Sequence, residues 1–326
     1  MTKNNMETNV TNTGLEYVKI PDACRAGGID INKTFDCGQT FRFDPVKDTV
    51  HECEFSGVAY GKAVSFAKEG NDLYIYNSTA DDFLSLWRHY LGLDTDYEAI
   101  RDDIKARSDN PALGNAIAYG DGIRILSQEP WEAVCSFIIS QNNNIPRIKK
   151  IIAAMSARLG RPAGDRMDEK MRGHLSDIMK DGVYAFPTPE AIKSNGIALL
   201  TELRTGFRAK YIYDAADKFS SGEISAQMIF DAPDTAAAAE ILKTVKGVGP
   251  KVAACALLFG FERYDAFPVD VWIRRVMEKY FPADYNAASL GAYAGIAQQY
   301  LFYYERYHGG ESVLFLKEKD QKNFKN

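Results

Sequence analysis

The sequence predicts an α+β protein, mainly helical, with an antiparallel sheet near the N-terminus and a longer helical part behind it. Three observations predict it. Residues from about 15 to 80 alternate apolar and polar between short turn-forming stretches, the signature of β-hairpins. From DDFLSLWRHYLGL (81–93) onward the apolar period becomes helical. Near the C-terminal end, TAAAAEILKTV and PKVAACALLFG flank a four-residue KGVG turn, so 235–260 reads as two helices joined by a tight hairpin.

Residues 1–14, MTKNNMETNVTNTG, are polar, lack the apolar stretch of a secretory signal, and are expected to form a loose, disordered tail. The sheet domain is assigned to 15–105. Its first hairpin pairs GQTFRF (38–43) with TVHECEF (49–55) across DPVKD, and its second pairs KAVSF (62–66) with LYIYN (73–77) across KEGND. Helical domains are assigned to 106–310. PWEAVCSFIIS (130–140) is one helix, with Ser127 as its expected N-cap. PRIKKIIAAMSARLG (146–160) is the next. Ile148, Ile151, Ile152, Met155 and Leu159 form its apolar stripe, and Gly160 stands at its end. Residues 161–185 read as a polar surface excursion, PEAIKSNG (189–196) and RAKYIYDAADKFSSG (208–222) as further helices, and 311–326 as a charged tail.

Composition excludes several classes. No stretch approaches the roughly 18 consecutive apolar residues of a spanning helix, so no membrane partner is expected. The five cysteines (Cys24, Cys37, Cys53, Cys135, Cys255) contain no CxxC pair, and the four histidines are far apart. Neither a disulfide framework nor a metal site is indicated. The expected compartment is a reducing cytoplasm, and the expected state a monomer. The net charge of −5 counts mildly against nucleic acid but does not exclude it, because basic groups and backbone amides concentrated on one face suffice.

The chemistry lies in the hairpin. Gly247 and Gly249 allow a tight turn and close approach of a partner backbone. Pro250 opens the second helix, whose free N–H groups form a ready anion site. By itself this is an ordinary helical turn. However, Lys251 directly follows it, where the positive end of a helix disfavours a cation and favours an amine able to attack carbon. Asp270, in AFPVDVWIRRVMEKYF (266–281), follows nineteen residues later. Asp270 is a good N-cap for the helix behind it, and a carboxylate there can also stabilise a developing sugar cation.

KGVGPKVAAC followed by PVD resembles the helix-hairpin-helix DNA glycosylase superfamily, and a lysine at 251 resembles its bifunctional members. SQEPWEAVCSFIISQNNNIPRI (127–148), FDCGQTFRF (35–43), TGFRAKYI (205–212) and GIAQQYLF (295–302) are similar to 8-oxoguanine DNA glycosylases, in the same order along the chain. The resemblance spans roughly 15–305. It implies a sheet domain followed by helix-hairpin-helix glycosylase domains, acting on oxidised guanine in double-stranded DNA. Lys251 is implied to attack C1′ and form a Schiff base, with β-elimination cutting the strand, and Asp270 to assist the sugar cation. Gly38 is implied to offer its carbonyl to the N7 hydrogen that oxidised guanine carries and guanine lacks. A strand bulge at Gly38 is compatible with that role. Phe302 and Cys255 are implied to sandwich the flipped base, and Gln298, one turn before Phe302, to meet its Watson–Crick edge. Phe137 and Pro268 are implied to help wall the pocket, although core packing explains both equally well. Asn142 is implied to fill the vacated stack, and Arg147 to read the orphaned cytosine with its planar fork. For Asn142, capping of the preceding helix is the plain alternative. Phe207 and Arg208 resemble the wedge beside the lesion, and Gly247 and Gly249 the hairpin that grips the strand.

One position departs from the family. Where some members carry a histidine proposed to contact phosphate, this chain has Trp272, which donates one hydrogen bond and no charge. Lys149 or Lys150 is a candidate substitute, although paired lysines commonly mark a solvated face. No cysteine follows Cys255, so the four-cysteine iron–sulfur cluster of some relatives is not expected, and no cofactor is assigned. A monovalent cation at the hairpin is raised only by analogy. Three other readings stand beside the family reading: activity on a different lesion, with a different pocket around the same backbone chemistry; a DNA-binding module without catalysis; and a helical protein with a coincidental hairpin.

Overall fold

The computed structural model describes residues 6–12, 14–163 and 182–308. Most of the 161–185 excursion and the whole 311–326 tail therefore lie outside the described residues. Six antiparallel strands form one sheet: β1 (Glu7–Val10), β2 (Glu16–Ile20), β3 (Phe43–Pro45), β4 (Cys53–Ala59), β5 (Lys62–Glu69) and β6 (Asp72–Tyr76), in the order β1-β2-β6-β5-β4-β3. The helix Ile31–Asp36 lays Phe35 on its face, 4.7 Å from Phe43, 5.5 Å from Phe55 and 5.4 Å from Phe66 between ring centroids. Trp87 and Tyr90, from the helical stretch 80–90, complete this aromatic core.

The sequence reading is corrected at several points. Residues 7–10 are not a loose tail but an edge strand, paired from Glu7 opposite Lys19 to Val10 opposite Glu16. All four residues are exposed, so no apolar alternation marked them. The hydroxyl of Thr11 accepts from the Leu15 amide at 3.0 Å, and Gly14 takes a φ of 81°, which closes the turn. GQTFRF is not a strand up to Phe43: residues 37–42 form an irregular buried segment, and the ladder begins at Phe43. The drawn boundary at 105 falls inside the helix Tyr97–Arg107. The helix Pro130–Ser140 is capped by Glu129, without a side-chain bond, rather than by Ser127. Pro at a first helical position fixes φ at no hydrogen-bond cost, and this sets the start two residues later than a serine cap would.

The remaining helices are Pro111–Tyr119, Ile145–Leu159, Pro189–Glu202, Ala209–Ser221, Ala226–Phe230, Thr235–Lys243, Pro250–Gly260, Val271–Tyr280 and Ala294–His308. They share one core that includes Phe137, Ile152, Ile212, Leu257 and Tyr300. Gln39 joins the two parts. Its buried side chain donates to the Thr34 and Arg124 carbonyls, both at 2.8 Å, and accepts from the Leu126 amide at 2.8 Å. No helix among the described residues is long and apolar enough to cross a membrane.

Candidate active site

The helix Pro250–Gly260 starts at Gly249, which is extended and offers no side-chain cap. The first-turn amides therefore lack intrahelical acceptors. Lys251 is half-buried in that turn. Its Nζ lies 3.5 Å from Ser140 Oγ and 5.7 Å from the centroid of the Phe137 ring. Ser140 donates to the Phe137 carbonyl at 2.8 Å, so its oxygen turns a lone pair to the lysine. Among the described residues, no carboxylate stands in ion-pair contact with Lys251. One turn on, burial pushes the Cys255 thiol up to about 11, against the pull of the neighbouring Lys251, while Asp270 reinforces the rise. Cys255 is thus a neutral, soft surface at physiological pH. Asp270 caps the helix Val271–Tyr280, accepting from the Ile273 amide at 2.8 Å. The capping role is therefore real, and it fixes the carboxylate beside Cys255.

The second half of the site comes from the N-terminal part. Gly38 has a φ of 78°, a left-handed conformation that favours glycine. The peptides around it are held. Gln299 donates to the Cys37 carbonyl at 2.8 Å, and Gln128 to the Gln39 carbonyl at 2.8 Å. Phe302 lies against Gly38, its ring edge 3.6 Å from where a Cβ would stand. One turn earlier Gln298 is only 4 % exposed, and its amide oxygen has no partner among the described residues. A buried amide atom left this way needs a ligand or water. The halves meet on Phe137, whose ring takes the edge of Phe41 at 5.8 Å and carries Lys251. Phe137 itself stacks on Phe259 at 5.3 Å, so its packing role and its place under the lysine coincide. Pro268 is buried two residues before Asp270.

A third group of residues follows Ser140 in the chain and is tied to the 206–208 turn. Asn142 is exposed with a φ of 47°, beyond the end of the Pro130–Ser140 helix. Asn144, not Asn142, caps the following helix by accepting from the Arg147 amide at 2.9 Å. The Arg147 side chain is exposed. Phe207 is 48 % exposed and rests edge-on against Tyr211 at 5.9 Å. Arg208 departs from the expected wedge. It is 2 % exposed, with Nε donating to the Gln141 carbonyl at 2.8 Å and Nη2 to the Asn142 carbonyl at 2.8 Å. A guanidinium surrounded by orphan loop carbonyls satisfies them better than solvent does, so here it points inward and holds the Asn142 loop. Lys149 is likewise engaged, in an ion pair with Asp44 at 2.8 Å, whereas Lys150 is exposed. Trp272 carries the Arg275 guanidinium 5.5 Å from its ring centroid. Gly247, with φ 77°, packs against Tyr211, while Gly249 faces open space.

Ser140, Gln299, Gln39 and Arg306 escaped the sequence reading. Ser140 and Gln39 sit inside quoted motifs, and a polar residue amid an apolar run was the available signal. The adjacent pair Gln298-Gln299 in a helix full of apolar residues was another.

Residues 23–134 match the model of the 8-oxoguanine DNA glycosylase N-terminal domain, and residues 135–290 that of the HhH-GPD superfamily of base excision DNA repair proteins. The structure of MBOgg1 in complex with a low-affinity DNA ligand superposes with a TM-score of 0.78 at 37 % identity, covering 93 % of this chain and 99 % of that one. The Clostridium acetobutylicum 8-oxoguanine glycosylase/lyase, solved with duplex DNA containing cytosine opposite 8-oxoG, gives 0.78 at 32 %, over 93 % and 98 %. An N-glycosylase/DNA lyase of Saccharomyces cerevisiae is 32 % identical over 207 residues, 60 % of this chain; that alignment spans about half, 51 %, of the yeast protein. With both family models matched in tandem and the fold shared end to end with these structures, the chain belongs to the 8-oxoguanine glycosylases of the HhH-GPD superfamily.

Proposed function

We propose that the protein removes 8-oxoguanine from duplex DNA, preferring cytosine opposite the lesion, and then cuts the strand. The class, a DNA N-glycosylase with lyase activity, follows from the family. The observation that carries the finer reading is the Lys251 amine, set at a helix start among Phe137, Ser140 and Cys255 with no carboxylate in ion-pair contact among the described residues. The amine nitrogen forms a bond to C1′ as the C1′–N9 bond breaks, and the base leaves with the electron pair and the proton that the nitrogen sheds. Asp270 stabilises the positive charge on the sugar. Ring opening gives a Schiff base, loss of a C2′ proton follows, and the 3′ phosphate departs. The Gly38 carbonyl accepts from the N7 hydrogen of the lesion, the orphan amide of Gln298 meets its Watson–Crick edge, and Phe302 and Cys255 cover its faces.

The opposite-base preference rests on Arg147, exposed beside the Asn142 loop. The expectation is fastest base release opposite cytosine in single-turnover assays, with the preference falling about tenfold or more in Arg147→Ala, the worth of a bidentate base contact. Equal wild-type rates opposite all four bases would contradict this role.

A further inference from the structure

Resting on the oxidised-guanine reading, we propose that Arg306 is a specificity residue that donates to the C8 oxygen of the lesion. Gln298, Phe302 and Arg306 stand four residues apart on one face of the helix Ala294–His308. The first offers an orphan amide oxygen and the second an aromatic face. The third extends its guanidinium over that ring, 6.0 Å from the Phe302 centroid. Its Nη1 is 3.6 Å from where a Cβ on Gly38 would stand, as close as the edge of Phe302. It also lies 5.1 Å from the Tyr307 centroid, yet no carboxylate or hydrogen-bond acceptor is paired with it among the described residues. Arg306 as a whole residue is half-exposed. A fork of donors held beside Gly38 and Phe302, with no protein acceptor among the described residues, is matched to an acceptor that arrives with the ligand.

The chemistry of the lesion supplies that acceptor. Oxidation at C8 changes two adjacent positions: N7 gains a hydrogen and C8 gains an oxygen. A pocket reading both needs an acceptor beside a donor. The Gly38 carbonyl is the acceptor, and Arg306, adjoining the same residue, is the donor. Guanine has a bare N7 and a C–H at C8, so it satisfies neither.

The test uses single-turnover excision of 8-oxoguanine and 8-thioguanine, each opposite cytosine, by the full-length protein. 8-Thioguanine keeps the N7 hydrogen but replaces the oxygen with sulfur, a weaker acceptor. Wild type should prefer the oxygen lesion. Arg306→Met should lose about 10- to 100-fold on 8-oxoguanine, the worth of a charged hydrogen bond, and little on 8-thioguanine. Arg306→Lys, which keeps the cation without the planar fork, should fall between them. Equal losses on both lesions, as expected of a phosphate contact or a folding role, would overturn the proposal, and so would no loss on either. Failure of wild type to release either base would instead refute the substrate reading on which this rests.

Discussion

A Cβ on Gly247 would stand 2.4 Å from the Tyr211 ring, and the residue holds φ at 77°; Gly249, two positions on, meets nothing within 4 Å. The two glycines of the hairpin therefore do different jobs. Gly247→Ala should cost about 2 kcal/mol or more of stability in denaturant unfolding, from left-handed strain and overpacking together. Gly249→Ala should leave stability within about 0.5 kcal/mol but weaken duplex binding, because its methyl would occupy the space a strand needs. Unchanged affinity in Gly249→Ala, measured by fluorescence anisotropy, would remove the hairpin from the DNA interface. At this scale much was legible. Lys251 was visible because a cation is disfavoured at a helix start, and Asp270, an ordinary cap by itself, because it stands in PVD nineteen residues after the hairpin lysine. Arg208 was not: its sequence context suits an exposed wedge, and only the fold reveals the loop carbonyls that draw it inward.

The Pro130–Ser140 helix carries Glu132 into the interior, with Oε1 3.9 Å from Arg42 Nε, too far for a hydrogen bond. Burial pushes the Glu132 carboxyl up to about 7, with Arg42 opposing and Glu129 adding to the rise. The folded protein thus holds this proton more tightly than the unfolded chain. The stabilisation is complete below the ordinary value of 4.5 and is lost as pH rises through about 7. Relative to wild type, Glu132→Gln should gain about 1–3 kcal/mol between pH 5 and pH 8; parallel pH profiles would contradict the assignment. The Asn142 loop at the end of this helix depends on Arg208. Arg208→Met should leave three carbonyls short of a donor, those of Gln141, Asn142 and Thr205. The expected outcome is a lower melting temperature together with a weakened preference for cytosine opposite the lesion; a normal preference would make Arg208 a purely structural residue. Helices with strong periodicity were read well from sequence. The errors fell where local signals were weak or in competition: an exposed edge strand without alternation, a proline that outranked a serine as the start of a helix, and a buried segment after Gly38 whose bonds go to side chains.

Across the whole molecule, the site depends on contacts between distant parts of the chain. Gln299 reaches the Cys37 carbonyl at 2.8 Å, and His89, from the sheet side, bonds Glu262 at 2.7 Å, just beyond the lysine helix. The change of period from alternating to helical announced the order of the two parts. It could not announce that the Gly38 loop would lie against Phe302, because that pairing is a product of three-dimensional packing and leaves no local mark. The net charge of −5 does not oppose the proposed DNA contact, because the hairpin amides and exposed cations such as Arg147 and Lys150 are available to make it. The central claim, that the Lys251 amine becomes bonded to the sugar of the damaged nucleotide, is tested most directly by borohydride trapping. A labelled duplex with 8-oxoguanine opposite cytosine is incubated with wild type and with Lys251→Gln in parallel. A covalent protein–DNA adduct with wild type alone is the predicted result. An adduct of equal yield with Lys251→Gln, or none with wild type although it binds the duplex, would contradict it.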